Sequence, residues 1–171
     1  MPDRSAVPPT TSVLKQRLWR CVPKAFLETA LESGPSFTKD RRYSVQGEFG
    51  AVYFSGAKEL AQWETGERAG QDAEPMAYLE FELTLNKLVD LRSPKVQAFF
   101  KFPLEALVKS RTAPERYAAT QTIARRVYAA KLHGLIAPSV HDPKSQKTDW
   151  FNVVLYPAHL MLSCLRFVEH H

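Results

Sequence analysis

The clearest signal in the chain is alternation. Residues 76–85 (MAYLEFELTL) place Ala77, Leu79, Phe81, Leu83 and Leu85 on one side and Tyr78, Glu80, Glu82 and Thr84 on the other, which predicts a half-buried strand. Residues 13–23 alternate too, with Leu18, Arg20 and Val22 on one parity, Trp19 and Cys21 on the other, and Pro23 as the stop. Arg20 among apolar strand residues either snorkels at the strand end or points into a polar pocket. Short apolar runs predict buried strands at 51–54, 135–139 and 151–157, and a second strand at Leu88–Leu91 after a tight turn at Asn86-Lys87. Helical spacing marks 24–33, which Gly34-Pro35 stops, and 57–63, for which Ser55 is a candidate N-cap. Pro94 and Pro103 open two short helical segments, the second at 104–109. The longest helix falls at 115–132, with Ala118, Ile123, Val127, Tyr128 and Leu132 as its apolar stripe and Arg125 and Arg126 off it. The tail 158–168 fits either a helix or a strand.

Strands and helices are interspersed without the regular βαβ rhythm of a doubly wound sheet, so the pattern predicts an α+β fold. Residues 1–12 lack apolar periodicity and read as a disordered lead-in, and 13–171 as one domain.

Composition narrows the class. The chain has 171 residues, 44% hydrophobic and 24% charged, in the range of a soluble globular domain. No run approaches the roughly 18 apolar residues of a membrane span, and the N-terminus lacks the apolar region of a signal peptide. Cys21 and Cys164 each lie beside apolar residues and read as reduced core thiols. These features predict a cytoplasmic protein without membrane contact. The net charge is +5 and the pI about 9.3, but the basic residues are scattered and no nucleic-acid-binding motif is present. Direct nucleic-acid binding is therefore not expected. A positive cleft for a small anion, or a positive face for an acidic partner, accounts for the excess equally well.

Candidate chemistry concentrates in residues 42–64. Arg42, Tyr53 and Glu64 recur there at equal steps of 11 residues, on a loop, a strand and a helix. Together a cation, an aromatic and a carboxylate suit a phosphorylated, ring-bearing ligand. Taken singly, each has a plain reading: a surface arginine, a core tyrosine, a solvated glutamate. Glycine-rich phosphate loops of the GxGxxG or GxxxxGK[ST] kind are absent. The five histidines show no metal-ligand spacing, so no metal is expected. Ser139 lacks the GxSxG context of a nucleophile and ends a strand, where serine commonly caps or turns.

Read in order, Arg20 in LWRCVP, Arg42-Tyr43 before a glycine-bearing turn, Tyr53 in GAVYFS, Glu64 in the next helix, YLEFELTLNKLVDL, Ser139 in GLIAPS and Asn152 in NVVLYP resemble the RES-domain family. The resemblance runs from about residue 16 to 160. It implies a fold like that of ADP-ribosyltransferases, with small mixed or antiparallel sheets around an NAD cleft, flanked by helices. It also implies a bacterial toxin of a type II toxin–antitoxin pair. Such a toxin consumes NAD as substrate by breaking the nicotinamide–ribose bond, with inorganic phosphate, water or a protein as acceptor. No cofactor is implied beyond NAD itself and inorganic phosphate as a co-substrate. The implied partner is an Xre-type helix-turn-helix antitoxin, and a homodimer is compatible.

Carried over residue by residue, Arg42, Tyr53 and Glu64 are the catalytic candidates. Arg20, Arg42, Tyr43, Tyr53, Ser139 and Asn152 are the NAD-binding candidates. Arginines suit the two phosphates, Tyr53 a ring, and Glu64 the oxocarbenium-like ribose. The chain departs from the family at Tyr43-Ser44, where Trp-Asn is common, and at Val140-His141, where Ala-Arg is common. Lys144 and Arg125 are candidates to replace that arginine, and the long loop 141–150 to serve as a lid or antitoxin contact. Two other readings stand beside it: an ADP-ribosyltransferase that modifies a protein target through the same cleft and, outside enzymology, a catalytically silent module that holds a partner through the pocket or the basic face.

Overall fold

The computed structural model describes residues 7–66, 75–103, 107, 117–141, 149–160 and 162–170. Among these residues six strands carry the fold: β1 (Thr11–Pro23), β2 (Val52–Ser55), β3 (Met76–Asp90), β4 (Gly134–Pro138), β5 (Phe151–Leu155) and β6 (Leu165–His170). Among the described residues, four helices pack around them: α1 (Gly34–Phe37), α2 (Lys58–Gly66), α3 (Pro94–Phe100) and α4 (Ala118–Ala129). The fold is α+β, as the interspersed pattern predicts.

The strand order is β1-β2-β5-β4-β3-β6, and β1 also pairs with β3. The sheet therefore closes on itself through β1–β3, and β6 extends the ring at β3. All pairings are antiparallel except β3–β4. Two small sheets result, β1–β3–β6 and β2–β5–β4, joined at both ends.

Alternation along the strands sorts the apolar residues into two cores. Leu18, Val22, Val52, Phe54, Leu79, Phe81, Leu83, Ile136, Val153 and Leu155 fill the inner side of the ring. Val89, Leu91, Leu135, Ala137, Val154 and Tyr156 face outward, where Ile123, Ala124 and Val127 of α4 and Val96 of α3 cover them. Leu83 and Leu88 are fully buried, and truncating either to Ala costs about 2–5 kcal/mol. Gly134 is required by the close approach of β5: a Cβ there would lie 2.1 Å from the Val154 carbonyl oxygen.

Several elements differ from the pattern-based expectation. No hairpin forms at Asn86-Lys87; β3 runs straight through it as one strand of 15 residues. Lys87 takes φ 56°. The alternation slips by one there, so that Leu88 stays inside with Leu85 while Val89 and Leu91 turn outward. That bulge-like step lets one strand serve both sheets, pairing with β1 and β6 first and β4 afterwards.

The helix expected at 24–33 is a single 3₁₀ turn, Lys24–Phe26, followed by irregular turns. Gly34-Pro35, read as a stop, instead opens α1, because proline suits the first helical turn where its missing N–H is not needed. The long helix begins at Ala118, and the expected 104–109 helix lies outside the described residues apart from Leu107. The ambiguous tail resolves into 3₁₀ turns and the strand β6. β1 begins two residues before the domain start read from sequence, while residues 1–6 lie outside the described set. Among the described residues, no helix is long and apolar enough to cross a membrane.

Candidate active site

The site gathers at the end of the ring where β2 and β4 finish and β5 starts. Ser55 pairs with Asn152 across β2–β5, and Ala137 pairs with Asn152 across β4–β5. Strand alternation then turns Tyr53, Ser55, Ala137, Ser139 and Asn152 to the same, outward side as Val154 and Tyr156. α2 packs beside this edge through the buried Leu60 and Ala61, with Ala57 buried just before its first turn. Its last turn delivers Glu64 to the strand ends.

The Glu64 carboxylate is held from both strands. Asn152 Nδ2 donates to Glu64 Oε1 at 2.9 Å and to Oε2 at 3.2 Å, and the Ser55 hydroxyl donates to Oε2 at 3.1 Å. Glu64 and Asn152 are half-buried and Ser55 is buried. The carboxylate is thus oriented by neutral donors, which satisfy lone pairs without cancelling the charge. Ser55 is accordingly a carboxylate holder rather than the helix cap read from sequence. Next to Glu64, Trp63 is 56% exposed and its ring lies 6.2 Å from that of His141.

Arg42 and Tyr43 lie on a compact loop. Arg41 bridges to Ser44 and Val45 to Phe49, and Gly47 closes the second turn at φ 72°, a left-handed conformation suited to glycine. The Tyr43 amide donates to the Tyr53 hydroxyl at 3.2 Å, and that hydroxyl donates to Ser44 Oγ at 3.3 Å. The Tyr156 hydroxyl donates to the Tyr43 carbonyl at 3.2 Å. Burial raises the pKa of the Tyr43 and Tyr156 hydroxyls, so both are neutral scaffold groups at pH 7. For Tyr43 the adjacent Arg42 guanidinium works in the opposite direction, although the buried Tyr43 hydroxyl makes no hydrogen bond of good geometry. Arg42 Nη1 donates to the Leu107 carbonyl.

The structure therefore brings Glu64 and Asn152 into direct contact, and places Tyr53, Tyr43 and Arg42 as a second linked group on the same side of the sheet. Ser139 is fully buried and its hydroxyl oxygen accepts from the His141 amide at 3.1 Å, as a turn-forming serine does.

Arg20 stands apart. It lies on the inner parity of β1 with Leu18 and Val22, 5.9 Å from the centre of the Phe54 ring. Its guanidinium donates to the Ala30 carbonyl and, at 2.7 Å, to the Tyr53 carbonyl. Burial pushes its pKa down to about 10, helped by the nearby Arg41 charge.

Arg125 is also committed elsewhere. Its Nε and Nη2 donate to Glu48 at 2.9 and 2.7 Å in a forked pair. Lys144 and most of the 141–150 loop lie outside the described residues.

Sequence reasoning did not find Tyr156, Trp63, the holding role of Ser55, or Gln121 of α4, whose side-chain amide donates to the Arg41 carbonyl at 3.1 Å. The one available signal was a polar residue, Gln121, interrupting the buried stripe of the longest helix. Among the described residues, no three His, Cys, Asp or Glu side chains converge as a metal site.

A closed ring of strands flanked by helices, with a carboxylate held at its edge, makes up this α+β fold. The RES domain model matches residues 17–167, nearly the whole chain, and the protein belongs to the RES-domain family. A search of the curated proteins finds no match. Among solved structures, the chain is similar to MbcT in the crystal structure of the M. tuberculosis MbcT–MbcA toxin–antitoxin complex. The TM-score is 0.69 at 12% identity, over 98% of this chain and 86% of that chain. At that identity the likeness is one of fold.

Proposed function

We propose that this chain is the toxin of a toxin–antitoxin pair and that it consumes NAD at the Glu64 site. The observation that carries the reading is the Glu64 carboxylate, fixed by Asn152 and Ser55 on the strand edge that also carries Tyr53, whose hydroxyl accepts from the Tyr43 amide next to Arg42. Membership of the RES-domain family and the fold shared with MbcT support it.

In this reading the bond between ribose C1′ and the nicotinamide nitrogen breaks, and nicotinamide departs with the electron pair. Positive charge develops on the ribose, and Glu64 stabilises it or holds the ribose hydroxyls. Neutral partners matter here, because a carboxylate already paired with an arginine would offer less field to a developing cation. Arg42 binds the pyrophosphate, and Tyr53 offers its ring to nicotinamide or ribose. Tyr43 carries and packs the Arg42 loop. Asn152 orients Glu64, and Ser139 shapes the turn leading to His141. Arg20 acts through the Tyr53 carbonyl, as a positioning residue. An oxygen of phosphate, or of water with loss of a proton to solvent, then bonds to C1′. The +5 charge suits an acidic segment on an antitoxin of the Xre helix-turn-helix type that covers this face.

The test is NAD consumption by the purified chain, with and without inorganic phosphate, beside Glu64→Gln. Loss of NAD that Glu64→Gln abolishes supports the reading, and phosphate dependence identifies the acceptor. Intact NAD with a folded wild-type chain and no antitoxin present overturns it.

A further inference from the structure

α4 reaches the Arg42 loop with two side chains one helical turn apart. Gln121 Nε2 lies 3.2 Å from Asp40 Oδ1, 3.1 Å from the Arg41 carbonyl and 3.3 Å from the Ser44 carbonyl. Asp40 Oδ1 also accepts from the Gln46 amide at 3.0 Å, which ties the far side of the loop to the same point. Four residues further on, Arg125 makes its forked pair with Glu48.

The two contacts differ in kind. Gln121 is only 9% exposed, so the acceptors it satisfies are costly to leave bare. Arg125 and Glu48 are exposed, with side-chain accessibilities of 44% and 49%, where an ion pair is worth little. An amide nitrogen carries two hydrogens, and here it sits among three acceptors drawn from both flanks of Arg42. Nothing else about a helix interior calls for glutamine at a buried position, since an apolar residue would extend the stripe of Ile123 and Val127.

We infer that Gln121 is a positioning residue that sets the conformation of the 40–46 loop and thereby aims Arg42 at the anionic part of the substrate. The inference rests on the Glu64-site reading for the identity of that substrate, whereas the loop-setting role does not depend on it.

The experiment has two arms, both on the full chain. The first follows amide hydrogen exchange in Gln121→Leu and in the shorter Gln121→Asn. Exchange in the peptide spanning 40–46 rises about tenfold or more, while peptides of α4 and β3 keep wild-type protection. Unchanged exchange at 40–46 in a folded variant overturns the loop-setting role. A uniform rise everywhere marks Gln121 as a general core residue and overturns it equally. If Gln121→Leu does not fold, Gln121→Asn, which keeps the amide but cannot reach, decides the point.

The second arm measures NAD turnover. Loss of a contact made equally in the ground and transition states raises KM and leaves kcat unchanged. The expected result is KM up about tenfold for Gln121→Leu, kcat within about twofold, and little change for Arg125→Ala. A wild-type KM in Gln121→Leu overturns the link to Arg42. An inactive wild type with the loop freed in the exchange arm instead overturns the NAD reading and leaves the loop-setting role standing.

Discussion

Two sets of carboxylates sit on the same ring of strands and are treated in opposite ways. On the outer side of β1–β3–β6, Glu80 and Glu82 meet arginines: Arg17 lies 2.7 Å from Glu80 and 4.0 Å from Glu82, and Arg166 lies 3.1 Å from Glu82. At the β2–β5 edge, the described partners of Glu64 are an amide and a hydroxyl. The first set is paired with cations, and the described partners of the second are neutral donors. Ion pairing on an exposed sheet face blunts the strand surface and adds little stability. A carboxylate held by neutral donors has its orientation settled before a ligand binds, which is the arrangement catalysis by preorganised charge requires.

The comparison is broken or sharpened first at Glu64. In Glu64→Gln, NAD consumption should fall on the order of 10²-fold or more. The melting temperature should stay within about 2 °C of wild type, since the amide keeps the shape. A variant that loses stability but keeps activity would reverse the assignment of the two regions.

Next comes Asn152→Ala, which leaves one fewer donor on the carboxylate. Activity should drop about tenfold through kcat, since one hydrogen bond to a charged group is worth about 1.5–3 kcal/mol and Ser55 remains to share the load. Steady-state kinetics checks it, and an unchanged kcat would mean that the carboxylate does not need Asn152 for its aim.

Arg17→Ala, on the other face, should cost less than about 1 kcal/mol in denaturant unfolding and leave NAD turnover untouched.

The smallest effect concerns pH. The hydrogen bond from Arg166, reinforced by the charges of Arg166 and Arg17, holds the Glu82 carboxyl below its ordinary pKa of 4.5. A carboxylate with a lowered pKa in the folded state adds stability above its unfolded pKa and loses it as pH falls through the folded one. The difference in melting temperature between wild type and Arg166→Ala should therefore be constant near neutrality and shrink as pH drops below about 4.5. Salt should shrink it as well.

How much of this could be read beforehand follows from the range of each interaction. Alternation in 76–85 and 13–23 is local, and the parities of Leu79, Phe81 and Leu18 carry straight into the inner core. The apolar strands at 51–54, 135–139 and 151–157 were equally plain. Punctuation misled where a turn signal met a tertiary demand. Asn86-Lys87 has the composition of a hairpin turn, yet Leu88 and Val89 are each needed in a different core, and pairing with β4 keeps the strand extended.

The site was legible as a list and not as a constellation. Glu64 and Asn152 are 88 residues apart in sequence, so nothing local reports that they touch. Ser55 looked like a cap because it precedes a helix, and only the β2–β5 register shows it facing the carboxylate instead. Arg20 shows the converse: its parity with Leu18 and Val22 was visible, and that parity is what places it on the inner side of the ring.

The closure of the ring has a consequence for the time at which this protein comes into being on the ribosome. β1 cannot be sealed into the ring until β3 is made, and Glu64 has no amide to hold it until β5 is made. Pairings between segments so far apart form late and slowly. A nascent chain that ends before Phe151 carries Arg42, Tyr53 and Glu64 but lacks the strand that supplies Asn152. Such a truncated chain should leave NAD untouched in the same assay, so that assembly of the site waits on the last part of translation.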